Sequence, residues 1–302
     1  MGVVLLAGGT GGAKLARGLQ DVLGGELSVV VNTGDDGEAH GGYVSPDPDL
    51  VTFWLADRID DRGWGLRGDS FNVMEGLREL GEQVWFNLGD RDLAICLHRA
   101  ERLRKGERLT EIADSIRTSF GVTARVLPMT DNTVRTHVRA RDAWHEFQPF
   151  MIRERAEGPV DDVHYNGAAA STPTPEVLEA VAQADRIVIG PSNPVISIGP
   201  ILAVPGMAEG LRAARAPIVA VSPLIGGEVV KGPTAVFLAW AGQPATAAGV
   251  AAIYDGLIDG FIADEPVSEV TTLVRDVDLN TPQTRRAVAE ATLEYAASLR
   301  RG

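Results

Sequence analysis

Val3-Val4-Leu5-Leu6-Ala7-Gly8-Gly9-Thr10-Gly11-Gly12-Ala13-Lys14-Leu15-Ala16-Arg17 runs from a short apolar segment into four glycines within five positions. Apolar Leu15, Ala16, Leu19, Val22 and Leu23 then recur at helical spacing, and Leu27 to Val31 reads as a buried strand. The spacing predicts a β-α-β unit with the glycines at its first strand-to-helix turn. Glycine lets backbone N–H groups come close to an anion, and a helix N-terminus carries partial positive charge. Gly8, Gly9, Thr10, Gly11, Gly12 and Lys14 are therefore candidate contacts for a nucleotide or another phosphorylated ligand.

The spacing departs from both common fingerprints. A Walker loop requires Gly-x-x-x-x-Gly-Lys-Ser/Thr, whereas Ala13 precedes Lys14 and Leu15 stands where the magnesium-binding hydroxyl belongs. A dinucleotide fold calls for an acidic residue at the end of its second strand, but Val29-Val30-Val31 leads into Asn32-Thr33-Gly34-Asp35-Asp36. Neither an ATPase of Walker type nor an NAD enzyme is expected.

Outward from this unit, composition bounds the class. The 302 residues are 45% hydrophobic, enough to bury one large core, and the net charge of −13 argues against a nucleic-acid backbone as partner. Arg99 to Arg108 reads as a solvated helix face. The single cysteine, Cys96, sits between Ile95 and Leu97, which predicts a core position and a reducing, cytoplasmic setting. Without a basic leader or a long apolar run, the chain is expected to be soluble and free of membrane contact. A homodimer is the default for an enzyme of this kind.

Asn32 to Asp49 lacks periodicity and is rich in Gly, Pro and Asp, so it reads as a long loop with a task. Helices are expected at 69–80, 91–104, 108–119, 175–183, 206–214 and 281–299, with strands at 186–189, 218–221 and 260–263. Residues 124–150 alternate instead, with Thr133 to Val138 and Trp144 to Phe147 as hairpin partners, and define an inserted smaller antiparallel and helical subregion of about 124–170. The fold class predicted is α/β, a single Rossmann-like domain over 1–302 with a doubly wound, mainly parallel sheet.

Three clusters carry chemistry. Asp35, Asp36, Asp47 and Asp49 follow the second strand, where open α/β sheets place ligands, and their carboxylates suit a hard divalent ion bridging to phosphates; turn capping is the plainer alternative. Asn87-Leu88-Gly89-Asp90-Arg91-Asp92 precedes a helix, so Asp90 is either functional or an N-cap, and an Asp92–Arg pair on a helix surface contributes little. Ser192, Asn193, Ser222 and Lys231 follow two further strands and offer donors, against ordinary Ser-Pro and Asn-Pro turns. The five histidines have no zinc spacing, and no nucleophile elbow is present.

Seven ordered motifs extend the reading. Gly8 to Leu15, Asn32 to Asp36, Ser45 to Asp49, Arg62-Gly63-Trp64-Gly65, Leu88 to Ala94, Pro191 to Ile201 and Ser222 to Gly227 together resemble the 2-phospho-L-lactate transferase family of coenzyme F(420) biosynthesis, over about residues 2–265. The resemblance implies transfer of a phospho-lactyl or phospho-enolpyruvyl group from a guanosine diphosphate donor to the terminal ribityl hydroxyl of the deazaflavin Fo, releasing GMP. It implies that Asp49 and Asn87 contact Fo and that the glycine turn, Ser192, Asn193 and Ser222 face the donor. Relatives read Asp-Leu-Asp-Thr where Asp47-Pro48-Asp49-Leu50 stands, and some have lysine at Asn87.

Attack of a hydroxyl on a diphosphate needs alignment and charge neutralisation more than a protein nucleophile. Magnesium is expected on Asp49 with Asp35 or Asp36, Asp49 or Asp36 is the candidate proton acceptor, and Arg91 or Lys14 the cation that balances developing charge. Two rivals share parts of the pattern. One is a non-catalytic nucleotide-sugar-binding regulator of the same fold, which Fo binding would separate. The other is a sugar-phosphate nucleotidyltransferase, which pyrophosphate release would reveal.

Overall fold

The computed structural model describes residues 2–226, 228–229 and 233–299, so Gly227 and the candidate donor Lys231 lie outside the described residues. The opening unit forms as its pattern requires: β1 (Val3–Ala7), α1 (Gly9–Leu23) and β2 (Leu27–Val31). All ten strand residues are buried, and residues of β1 alternate between two cores. Val4 and Leu6 face one, and Val3, Leu5 and Ala7 the other. Two-sided burial is what a strand without polar alternation encodes, and Leu5 and Leu6, both fully buried, each contribute about 1.5–3 kcal/mol.

The segment from Asn32 is not a loop throughout. β3 (Gly37–Ala39) and β4 (Gly42–Val44) form a hairpin, and α2 (Pro46–Leu55) starts directly after it. The hairpin was hidden because its turn is His40-Gly41, both at positive φ (50° and 77°), in place of the usual Asn-Gly, and its strands have three residues each. The acidic pair Asp47 and Asp49 lies in the first turn of α2 behind Pro46, where proline and negative charge both favour a helix start. Next come α3 (Asn72–Glu79), α4 (Asp90–Arg104) and α5 (Leu109–Ser119).

β5 (Arg125–Pro128) corrects the expected boundary of the insertion: it pairs parallel to β2 and forms an edge of the main sheet. A four-residue strand bounded by arginine and proline suits an edge and gives little pattern to read. The antiparallel sheet comprises β6 (Arg135–Ala140), β7 (Ala143–Glu146), the short helix α6 (Phe147–Ile152), and β8 (Asp162–Asn166). A side chain at Gly167, which has φ +85°, would run into the Thr133 carbonyl, so the strands that enter and leave this sheet lie side by side.

The parallel rhythm then resumes with α7 (Pro175–Gln183), β9 (Arg186–Ile189), a π-turn at Pro194–Ile198, α8 (Gly199–Ala203), α9 (Met207–Ala213) and β10 (Ile218–Val221). A small hairpin, β11 (Leu224–Ile225) with β12 (Glu228–Val229), leads to α10 (Thr234–Trp240), α11 (Ala247–Ile253), β13 (Gly260–Ala263), β14 (Thr272–Val274) and α12 (Pro282–Ser298). The seven-stranded sheet has the order β14-β13-β10-β9-β1-β2-β5, parallel throughout. Helix α12 returns across the sheet to pack on α1, where a Cβ at Gly18 would lie 2.5 Å from the Arg285 carbonyl oxygen.

This order is the Rossmann-like, doubly wound α/β architecture. From β1 the chain first builds outward through β2 to β5, then restarts at β9 on the other side. The carboxyl ends of β1 and β9 therefore flank a crevice at the point where the order reverses. Among the described residues no single helix is long and apolar enough to cross a membrane.

Candidate functional site

Two segments converge on the glycine turn in that crevice. Ser192 Oγ, after β9, donates to the Gly8 carbonyl (2.7 Å) and accepts from the Gly8 amide (3.2 Å). Asp47 Oδ1, on α2, accepts from the Gly9 amide (2.7 Å). A Cβ at Gly8 would lie 2.6 Å from Asp47 Oδ2, one at Gly11 would overlap the Pro191 carbonyl oxygen, and Gly9 has φ +61°. Glycine is thus required by close approach at Gly8 and Gly11 and by backbone sign at Gly9.

The turn forms one wall of a cavity of about 1010 Å³, at the upper end of the range for small-molecule sites. Of the residues expected at a site, Gly8, Gly9, Thr10, Gly11, Lys14, Asp35, Asp49, Asn87, Ser192, Asn193 and Ser222 all line it. Lys14 Nζ donates to Asn280 Oδ1 (2.7 Å) and lies 5.9 Å from the centre of the Trp54 ring. Asn193 accepts from the Val195 and Ile196 amides and so starts the π-turn, while Ser222 Oγ accepts from the Leu224 amide (3.1 Å). Asn87 Oδ1 accepts from Arg78 (2.8 Å). Trp64, Trp85, Phe86 and Phe147 also line the cavity.

Three expected residues lie elsewhere. Gly12 lies behind the cavity wall, where a Cβ would come 2.5 Å from Ser192 Oγ and 2.9 Å from Ala7 Cβ, so it lets α1 pack on β1 and on the Ser192 loop. Asp36 borders a separate void of about 30 Å³ beside Arg135 and Thr136, and its Oδ1 accepts from Ser45 (2.8 Å). Arg91 is exposed on α4, and its amide is held by Asp69. Among the described residues the side-chain cation on the cavity wall is therefore Lys14 rather than Arg91.

The carboxylates differ in what holds them. Asp47 uses both oxygens, on the Gly9 amide and on Asn32 Nδ2 (3.0 Å), and burial pushes its pKa up to about 6. Burial and the neighbouring Asp47 charge raise Asp35, and burial pushes Asp36 up to about 7 against the pull of Arg135. Asp35 Oδ1 and Asp36 Oδ2 are buried with no hydrogen-bond partner among the described residues. Orphaned carboxylate oxygens are the donor chemistry a hard divalent ion takes.

Asp49 is paired with Arg99, which is 2% exposed and also donates to the Tyr43 carbonyl (2.9 Å). Burial raises the Asp49 pKa and Arg99 opposes the rise. Arg99 was read as part of a solvated face. Yet Asp92, Leu93, Cys96 and Arg99 are the buried residues of α4 and fall on one helical stripe, the signal that would have flagged both Arg99 and Asp92.

Asp90 is resolved in favour of capping, although across helices. It accepts from the Asn72 and Val73 amides at the start of α3 and from Ser70 Oγ, contacts led by the Val73 amide that hold its pKa down to about 2. Asp69 in turn caps α4 through the Arg91 and Asp92 amides. Cys96 is buried in the core, and burial pushes its thiol well up, which suits packing rather than nucleophilic chemistry.

Asp92 lines the cavity and is 8% exposed, and burial, with the Asp49 charge adding, pushes its pKa up to about 7. The folded protein thus holds this proton more tightly than the unfolded chain does. The resulting stability is fully present below about pH 4 and is lost as pH rises through about 7. Asp92→Asn should flatten the fall in melting temperature between pH 5 and 8, read by calorimetry on both proteins without added metal.

An open parallel sheet with a glycine turn at its switch point, beside buried carboxylates on the wall of a large cavity, defines an α/β protein of the ligand-binding, doubly wound class. The profile of the 2-phospho-L-lactate transferase CofD family matches residues 3–291. The chain is 40% identical over 265 residues to the 2-phospho-L-lactate transferase of Methanosarcina mazei, covering 87% of each. It is 42% identical over 274 residues to the phosphoenolpyruvate transferase of Kitasatospora aureofaciens, covering 87% of this chain and 85% of that one. A upf0052-family protein of Bacillus halodurans shares the fold, with a TM-score of 0.61 over 97% of this chain and 98% of that one at 19% identity. The chain belongs to the 2-phospho-L-lactate transferase CofD family, a family of transferases, as its ordered motifs led us to expect.

Proposed function

We propose that this protein transfers a phospho-lactyl or phospho-enolpyruvyl group from a guanosine diphosphate-linked donor to the terminal ribityl hydroxyl of Fo in coenzyme F(420) biosynthesis, releasing GMP. The observation that carries the reading is one cavity lined by the glycine turn, by several aromatic rings and by Asp35 and Asp49. The diphosphate lies on the N-terminus of α1 near Lys14, with Ser192 and Ser222 on the facing loops. The flat deazaflavin ring stacks among Trp64, Trp85 and Phe86.

The hydroxyl oxygen forms a new bond to the phosphorus that bears the three-carbon acid. The bond from that phosphorus to GMP breaks, GMP leaves with the electron pair, and the hydroxyl proton passes to solvent. A magnesium ion held by Asp35 and Asp49, with Asp36 behind them, would neutralise the diphosphate and the leaving phosphate. Arg99 keeps Asp49 in one orientation.

Purified protein incubated with Fo, magnesium and each donor in turn should release GMP and form a phosphodiester of Fo. Absence of both products with either donor would overturn the proposal, and the ratio of rates identifies the acid, for which the relatives carry both names. Asp49→Asn should lower turnover about 100-fold or more.

A further inference from the structure

Asp92 is a buried cavity carboxylate that the reading above leaves without a task. Its backbone amide is fixed by Asp69 Oδ2 (3.0 Å), and its side chain, 8% exposed, faces the cavity between Asp49 and the loop carrying Trp64. Gly65 borders it closely enough that a Cβ there would lie 3.8 Å from Asp92 Oδ2. One oxygen each of Asp92 and Asp49, with Cys96 Sγ, falls within 4.8 Å of one another. Arg99 is committed to Asp49 and to the Tyr43 carbonyl, and no described residue donates a hydrogen bond to the Asp92 carboxylate. A buried carboxylate without a donor costs folding free energy, and such groups persist where a ligand supplies the donor.

We propose that Asp92 is a substrate-contacting catalytic residue: its carboxylate accepts hydrogen bonds from the hydroxyl chain of the acceptor and aims the terminal hydroxyl at the donor phosphorus. The assignment rests on the transfer reading above. A polyol chain supplies several O–H donors, which is what a lone acceptor group held on a rigid helix start can use. Asp49 cannot take this place alone, because Arg99 draws on its oxygen from behind.

Asp92→Asn and Asp92→Ala would be compared with the unaltered protein in magnesium and saturating donor. Expected are a fall of about 10- to 100-fold in kcat/KM for Fo, a donor KM within about twofold, and a melting temperature at pH 8 equal or higher. Unchanged kcat/KM for Fo would overturn the assignment, as would a lowered melting temperature with both KM values rising together. Titration of Fo fluorescence reads the same contact without turnover. Absence of GMP release from the unaltered protein would sink the transfer reading. The Asp92 assignment then stands on weaker Fo binding by both variants and falls if binding is equal or if the unaltered protein binds no Fo.

Discussion

Arg99→Met is expected to destabilise the fold by about 3–5 kcal/mol and to lower the melting temperature by roughly 10 °C. Arg99 joins three elements: it lies on α4, donates to the Tyr43 carbonyl on β4, and is paired with Asp49 in the first turn of α2. Both partners are almost fully enclosed. Methionine fills similar volume but leaves the Asp49 carboxylate buried with its charge unmatched, the costly half of a broken pair. The double variant Arg99→Met with Asp49→Leu removes both charges and should recover most of the lost stability while remaining inactive. Chemical denaturation of the three proteins checks this. A single variant as stable as the unaltered chain would show that the pair contributes nothing.

Gly11→Ala should lower turnover about 100-fold with a smaller loss of stability. The methyl would overlap the Pro191 carbonyl oxygen, so either the α1 start or the loop after β9 must withdraw. Ser192 follows Pro191 and bonds both polar atoms of Gly8, so a shift of the loop loosens the turn that it holds. Displacements of about 1 Å in a positioned phosphate seat are worth such factors. Gly76→Ala is the matched control, since nothing lies within 4 Å of a Cβ there and α3 should gain about 0.5–1 kcal/mol. Steady-state kinetics with varied donor separates the two. Equal activity would mean that the crevice tolerates the extra atom.

What could be read in advance divides by range. The β1–α1–β2 unit was legible because its apolar runs and glycines are local signals, and the parallel sheet followed from their repetition. The β3–β4 hairpin was not, since His40 and Gly41 mimic no common turn pair. β5 was drawn into the insertion because an edge strand of four residues looks alike in either sheet. At the site, Gly12 shares the composition of a phosphate cradle but serves helix-to-strand packing. Arg91 and Asp92 are neighbours in sequence, and only the rotation of α4 puts one in solvent and the other on the cavity wall. Arg99 was concealed by a helix whose exposed face is densely charged, a pattern that says nothing about the charges turned inward.

The side-by-side entry and exit at Thr133 and Gly167 make the antiparallel sheet a cassette. It contributes Phe147, Gln148, Met151 and Ile152 to the cavity, yet joins the parallel scaffold through two adjacent strand ends. Its replacement by the equivalent segment of a relative would rewrite one wall of the cavity and leave the glycine turn between β1 and β9 in register. Divergence of this cavity wall therefore has a route that leaves the parallel-sheet half of the molecule untouched.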